Sequence, residues 1–169
     1  MFAVGDRIFY PIFGIGTIES IETRIVLDSE SEYYVLRFDI DRTEVSVPTA
    51  NAERSGLRRL SPKEDCLTAL RILRDSEQAG EDENNWNKRY RENLDRLRSG
   101  GITDIAYVVR RLSDRDSRRG LSSGEKKMLN GASVMLAGEL AEVLGGDPEE
   151  YLPSADREGA SERTQDPAR

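Results

Sequence analysis

Hydrophobic and polar positions follow two different periods along this chain, and the change falls at about residue 60. Before it, apolar residues alternate. Arg7-Ile8-Phe9-Tyr10 reads as a short strand ended by Pro11. Thr17 to Val26 is rich in Ile and Thr and suits a strand, and its alternation slips near Glu19-Ser20, as at a bulge. From Tyr33 to Phe38 the alternation is clean: Tyr34, Leu36 and Phe38 share one face, Tyr33, Val35 and Arg37 the other. Asp39 to Arg42 makes a turn, and Val45 and Val47 then share a face ahead of Pro48. Four or five short strands in this stretch predict a small, strongly bent sheet or partial barrel.

From Ser61 the period becomes helical. Ser61-Pro62-Lys63-Glu64 has a capping-box pattern with proline at the first helical position, followed by a stripe of Cys66, Leu67, Leu70 and Leu73. Residues 76–83 are polar and acidic and read as an exposed loop. Asn84 or Asn85 can cap a second helix running to about Arg98, stopped by Gly100-Gly101. Ile102, Ile105, Val109 and Leu112 define a third helix, ended at Gly120. Ser122-Ser123-Gly124-Glu125 is a second capping box, opening a fourth helix to about Leu144 with Leu129, Ala132, Leu136, Leu140 and Leu144 on its stripe. The expected fold class is α+β: a sheet domain over 1–60, a helical domain over 61–146, and an acidic, apolar-poor tail over 147–169 that is expected to be disordered.

Composition narrows the chemistry. The 169 residues include no histidine and one cysteine, so imidazole-based catalysis, imidazole-ligated metal and an internal disulfide are excluded. No catalytic residue, metal site or cofactor is expected. Met1 to Pro11 has neither a basic stretch nor a continuous apolar run, and no apolar run approaches the roughly 20 residues of a membrane-spanning helix. A cytoplasmic protein without membrane contact is expected. The formal net charge of −7 argues against nucleic acid until it is divided by segment. Residues 1–60 carry a net −3, the 76–83 loop −4 and the tail −4, whereas 84–146 carry +4. Within 84–119 there are 10 basic residues against 5 acidic, a positive helical segment inside an acidic chain.

Trp86, the only tryptophan, opens a helix in the context Asn84-Asn85-Trp86-Asn87-Lys88-Arg89-Tyr90-Arg91. Two readings stay open. Trp86, Tyr90, Leu94 and Leu97 form a helical stripe that could be core. A first-turn aromatic among cations also suits DNA, where cations hold phosphates and a flat ring wedges at a base step. Lys126-Lys127 sit at the positive end of the last helix, an unfavourable place for cations unless an anion visits. Arg110-Arg111, Arg115 and Arg118-Arg119, interrupted by Asp114 and Asp116, suit a solvated face. Gly14-Ile15-Gly16 lacks the continuation of a phosphate loop and reads as a turn between strands. Asp39, Asp41 and Glu44 lack the spacing of a calcium loop and read as a charged turn. Cys66 reads as a buried, inert thiol.

The order of these parts resembles the CarD/CdnL family of bacterial transcription regulators over about residues 1–145. The N-terminal likeness rests on Val4-Gly5-Asp6, Tyr10-Pro11, Phe13-Gly14-Ile15-Gly16, Ile21-Glu22-Thr23-Arg24, Tyr33-Tyr34-Val35-Leu36, Val47-Pro48 and Gly56-Leu57-Arg58. This part is also similar to the polymerase-binding module of transcription-repair coupling factors. The C-terminal likeness rests on Trp86 to Leu94 and on Arg119 to Leu129. The resemblance implies a Tudor-like domain that docks on the β subunit of RNA polymerase, and a helical domain that contacts promoter DNA in the minor groove at the upstream edge of the −10 element. Together they would stabilise the open complex without enzymatic activity, and a monomer is expected. By position, Trp86 would be the wedge, with Lys88, Arg89, Arg91 and Lys126 supporting DNA binding. Arg24 and Ser46 would lie at the polymerase interface, where Ser46 departs from the long side chain common before Val-Pro. The alternative is a protein-interaction module with Trp86 in the core and no DNA contact.

Overall fold

A computed structural model of the chain describes residues 1–74 and 84–152. The acidic loop read at 76–83 and the tail beyond Leu152 lie outside the described residues.

Five antiparallel strands form one sheet in the order β4-β3-β2-β1-β5: β1 Arg7–Tyr10, β2 Gly14–Val26, β3 Ser29–Phe38, β4 Glu44–Pro48 and β5 Arg58–Arg59. The strands β2 and β3 are longer than their apolar alternation suggests. They extend as a hairpin closed by the Val26↔Ser29 pair, through Leu27 and Asp28 with φ of 53° and 59°. Two consecutive left-handed residues are what a type I′ turn needs to match strand twist. Ser29 to Glu32 is polar on both faces, so pattern alone does not reveal its pairing. The bulge appears where the alternation slips: the register steps from Ile18↔Leu36 to Ser20↔Val35.

Gly14-Ile15-Gly16 is the start of β2, where a turn was expected. A Cβ on Gly16 would lie 2.6 Å from the Arg37 carbonyl oxygen, so the close approach of β3 demands glycine there. Tyr34, Leu36 and Phe38 point into one core with Phe2, Ile8, Ile18, Val47 and Leu57. On the opposite side of β1 and β2, Phe9 and Ile15 join the core of the helices.

That second core is built by α1 Lys63–Arg74, α2 Trp86–Ser99, α3 Ile102–Arg119 and α4 Ser123–Leu144. The expected Ser61–Glu64 box does not start α1. The Pro62 carbonyl accepts from the Asp65 and Cys66 N–H groups, and the Ser61 N–H turns instead to Glu139. Cys66 and Ala69 are buried, whereas Leu67 is exposed, one position off the inferred stripe. Asn85 caps α2, its Oδ1 accepting from the Lys88 N–H at 3.2 Å, and Gly100 ends it in the left-handed region at φ 72°. Ile102, Ile105 and Val109 on α3 share one core with Ala132, Leu136 and Leu140 on α4, and Leu112 is buried further along α3.

The chain remains folded past Gly146. Pro148–Tyr151 forms a 3₁₀ turn against α4, with Tyr151 packed on the core and its hydroxyl donating to the Gly145 carbonyl at 2.6 Å. The first residues of the expected disordered tail are therefore ordered, because one aromatic ring finds apolar contact in an otherwise polar run.

A buried carboxylate ties the two halves. Glu139 on α4 is fully buried, and its oxygens accept from Arg58 Nη1 and Nη2 at 2.6 and 2.8 Å and from the Ser61 N–H at 2.8 Å. Arg58 also donates to the Gly100 carbonyl at 2.7 Å and lies 4.2 Å over the Phe9 ring. Such a charge is tolerable only with its partners in place. Beside it, burial foremost and the Glu139 charge next push the Cys66 thiol up to about 11, which keeps it protonated and unreactive.

Candidate nucleic-acid interface and docking face

The N-termini of α2 and α4 and the C-terminus of α3 come together at one end of the helical half. Three side-chain contacts define this end. Trp86 Nε1 donates to Ser122 Oγ at 3.0 Å, Arg89 Nε donates to Glu125 Oε1 at 2.6 Å, and Arg119 Nη1 donates to Asn84 Oδ1 at 2.8 Å. Of the inferred DNA-binding residues, Trp86, Lys88 and Arg89 lie on the first turn of α2 and Lys126 on the first turn of α4, while Arg91 lies on the second turn of α2.

Trp86 is not core: it is 43% exposed. Its indole stacks on Tyr90, one helical turn along, with ring centroids 5.1 Å apart and planes 25° from parallel. One face of the ring lies on Tyr90 and the N–H is held by Ser122, yet the residue keeps 43% of its surface exposed. Lys88, Arg91, Lys126 and Lys127 are exposed on the N-terminal turns of the same two helices.

Arg89 departs from the expectation of a DNA-facing cation. Only 2% of it is exposed, and it pairs with Glu125, which is 1% exposed. Position 89 falls on the inward side of α2, between the exposed positions 88 and 91, so the basic run is split between two faces of one helix. Burial would raise the Glu125 carboxyl. The Arg89 hydrogen bond and those from the Ser122 backbone and hydroxyl outweigh it and hold the carboxyl below its usual range. The inferred capping box is present in full. Ser122 Oγ accepts from the Glu125 N–H while Glu125 Oε2 accepts from the Ser122 N–H at 3.1 Å and hydroxyl at 2.9 Å.

The arginines of α3 are less available than their number suggests. Arg110 pairs with Asp114 at 2.9 Å and Arg111 with Glu92 at 3.3 Å, while Arg118 and Arg119 are exposed at the helix end. Sequence reading put Tyr90 on one stripe with Trp86 but missed Ser122 as a partner of its N–H. The i, i+4 spacing of the two rings and the capping box were the available signals, but neither says which face meets which.

On the sheet, Arg24 and Ser46 share the face opposite Tyr34, Leu36 and Phe38. Arg24 pairs with Ser31 across β2 and β3, Ser46 with Val35 across β3 and β4, and alternation puts Ser31, Tyr33 and Val35 on one face. Arg24 is exposed, lies 5.2 Å over the Tyr33 ring and donates to Glu22 Oε2 at 2.7 Å. Ser46 is half-buried and short, so no long side chain projects from its position. Among the described residues no cluster of His, Cys, Asp or Glu could hold a metal ion, and no helix is long and apolar enough to cross a membrane.

Known proteins match both halves. Residues 2–61 match the CarD-like/TRCF RID domain and residues 68–153 match the CarD C-terminal domain. A Bacillus subtilis (strain 168) protein named "Putative transcription factor YdeB" is 38% identical over 156 residues, covering 91% of this chain and 99% of that protein. An antiparallel N-terminal sheet followed by four helices, matched along both halves in the same order, means that the chain belongs to the CarD/CdnL family of bacterial transcription regulators.

Proposed function

We propose that this chain docks on the β subunit of RNA polymerase through the sheet face that bears Arg24 and Ser46 and contacts promoter DNA with the Trp86 end of its helices. The contact falls in the minor groove at the upstream edge of the −10 element and stabilises the open complex. No covalent chemistry and no cofactor are involved. The observation that carries this reading is Trp86 itself: a lone tryptophan, nearly half exposed, held by a stack and a hydrogen bond at a helix start, with Lys88, Arg91, Lys126 and Lys127 exposed on the N-terminal turns of α2 and α4. A protein-interaction module with Trp86 in the core does not fit that exposure.

The mechanism follows from differential contact. Separating a base step costs a few kcal/mol, least where the duplex is already opening. An indole that occupies the opened step therefore binds the open state better than the closed one and shifts the equilibrium by that difference. Four exposed cations releasing counterions give DNA affinity a salt slope near −3.6, roughly 0.9 per phosphate neutralised. Such binding is weak alone, and docking on polymerase makes it intramolecular. Arg89, being buried, acts here through Glu125 and not on phosphate.

Two variants separate the halves of this reading. Arg24→Glu should abolish co-purification with polymerase, because the reversed charge sits on the docking face beside Tyr33. Lys126→Glu should leave co-purification intact but remove the protein's protection of DNA upstream of the −10 element. Retained association in the first, or retained protection in the second, contradicts the assignment concerned.

A further inference from the structure

Ser122 sits at the centre of a closed set of hydrogen bonds. A serine hydroxyl has one proton to give and two lone pairs to accept with. Here the proton goes to Glu125 Oε2 at 2.9 Å, one lone pair accepts from the Glu125 N–H at 3.3 Å, and the other accepts from Trp86 Nε1 at 3.0 Å. The other Glu125 oxygen is engaged by Arg89 Nε at 2.6 Å, in a pair that solvent barely reaches. Arg89 lies on the same helix as Trp86, three residues on, so the chain of contacts leaves α2 at the indole, crosses α4 and returns to α2.

Two features set this apart from ordinary helix capping. A capping box needs only the reciprocal Ser–Glu bonds, and many are solvent-exposed. In this one the carboxylate is buried on an arginine, and the hydroxyl has its last lone pair turned on an aromatic ring. Among the described residues, the ring is also a large apolar side chain left 43% exposed at this end. An exposed aromatic on a first helical turn would ordinarily sample several rotamers and lose that freedom on inserting into DNA.

We propose that Ser122, Glu125 and Arg89 are positioning residues for Trp86, holding the indole in one orientation before DNA arrives so that little rotamer freedom is lost on insertion. The claim rests on the DNA-contact reading above but concerns the free protein first. The N–H is the anchored edge, Tyr90 backs one face, and Glu125 fixes where the Ser122 hydroxyl proton points. Lys126 follows Glu125 directly, so the same box places the first cation of α4 relative to the ring.

The test uses the full chain, in which Trp86 is the only tryptophan and its fluorescence reports this site alone. Ser122→Gly keeps a residue that is close to serine as an N-cap, while removing the acceptor for the indole. Ser122→Thr keeps the acceptor. Acrylamide quenching and time-resolved anisotropy of the indole should show faster local motion and greater access in Ser122→Gly, with the wild-type values regained in Ser122→Thr. Unchanged motion and access in Ser122→Gly would overturn the positioning claim. In the promoter complex, Ser122→Gly should shorten open-complex lifetime by about threefold to tenfold, the ratio that one lost hydrogen bond is worth. It should have no such effect when Trp86 is already alanine, since neighbours acting through one contact are not additive. An equal shortening in the Trp86→Ala background would mean that Ser122 acts by helix stability alone and would overturn the claim. A Trp86→Ala change that leaves the lifetime untouched overturns the DNA reading itself, and the quenching measurement on free protein tells that failure from the other.

Discussion

Trp86 and Gly16 illustrate what single residues decide in this protein. Trp86 suits the proposed DNA contact because it is incompletely buried. It keeps a stack and one hydrogen bond, enough to orient it, and leaves apolar surface where a base step can meet it. Gly16 works by absence: its missing Cβ lets β3 approach within 2.6 Å of where that atom would be. Gly16→Ala should therefore destabilise the sheet by about 1–3 kcal/mol, the usual cost of an overpacked site. A urea titration reads this as a lower midpoint at unchanged slope, and an unchanged midpoint would show that the β2–β3 pairing can relax. Neither the turn-like Gly-Ile-Gly nor the basic run around Trp86 could be placed from sequence alone. Spacing identifies which residues share a face, but not what that face meets. Arg89 shows this best: its neighbours Lys88 and Arg91 are exposed, while it turns inward onto Glu125, 36 residues along the chain.

At the scale of elements, the pairing of α2 with α4 is set by charge where most of the helical core is apolar. Arg89→Met would leave the Glu125 carboxylate buried without its cation, a change that typically costs about 3–5 kcal/mol. The double change Arg89→Met with Glu125→Leu should recover most of that, and a single variant as stable as wild type would contradict the burial of the pair. The same contact makes the helical half sensitive to acid. Glu125 is held below the unfolded carboxyl value of about 4.3, so its contribution is fully present above that pH and is lost as pH falls through the lower folded value. Helix ends were the most legible elements: Asn85, Gly100, Ser122-Glu125 and Gly145 all bound helices as inferred. Strand ends were less so. The polar end of the β2–β3 hairpin carries no alternation between core and solvent, and its Leu27-Asp28 turn lacks the glycine that usually announces one.

The whole molecule is two sequence-distinct halves joined through a shared seam. Phe9 and Ile15 of the sheet lie in the core of the helices, and Arg58 meets Glu139 across 81 residues of sequence. Contacts so distant leave no local pattern, which is why the α+β class was legible and the seam was not. Sheet residues sharing the helical core, with the Arg58–Glu139 contact, predict one cooperative unfolding transition in calorimetry, and Glu139→Ala should lower its midpoint by leaving Arg58 and the Ser61 N–H without their acceptor. Two separate transitions in the wild type would contradict a shared core. Under the proposed function the seam matters as well: a polymerase-docking face on one half and a DNA-contacting end on the other would cooperate only with their separation held, since a second contact gains from the first when both can be made at once. The central claim is that Trp86 favours opened promoter DNA from a polymerase-docked position. The most direct test is the lifetime of the open complex with saturating wild-type protein or Trp86→Ala, at equal occupancy of polymerase. The account predicts a markedly shorter lifetime with Trp86→Ala while association with polymerase is unchanged. Equal lifetimes at equal occupancy would contradict it.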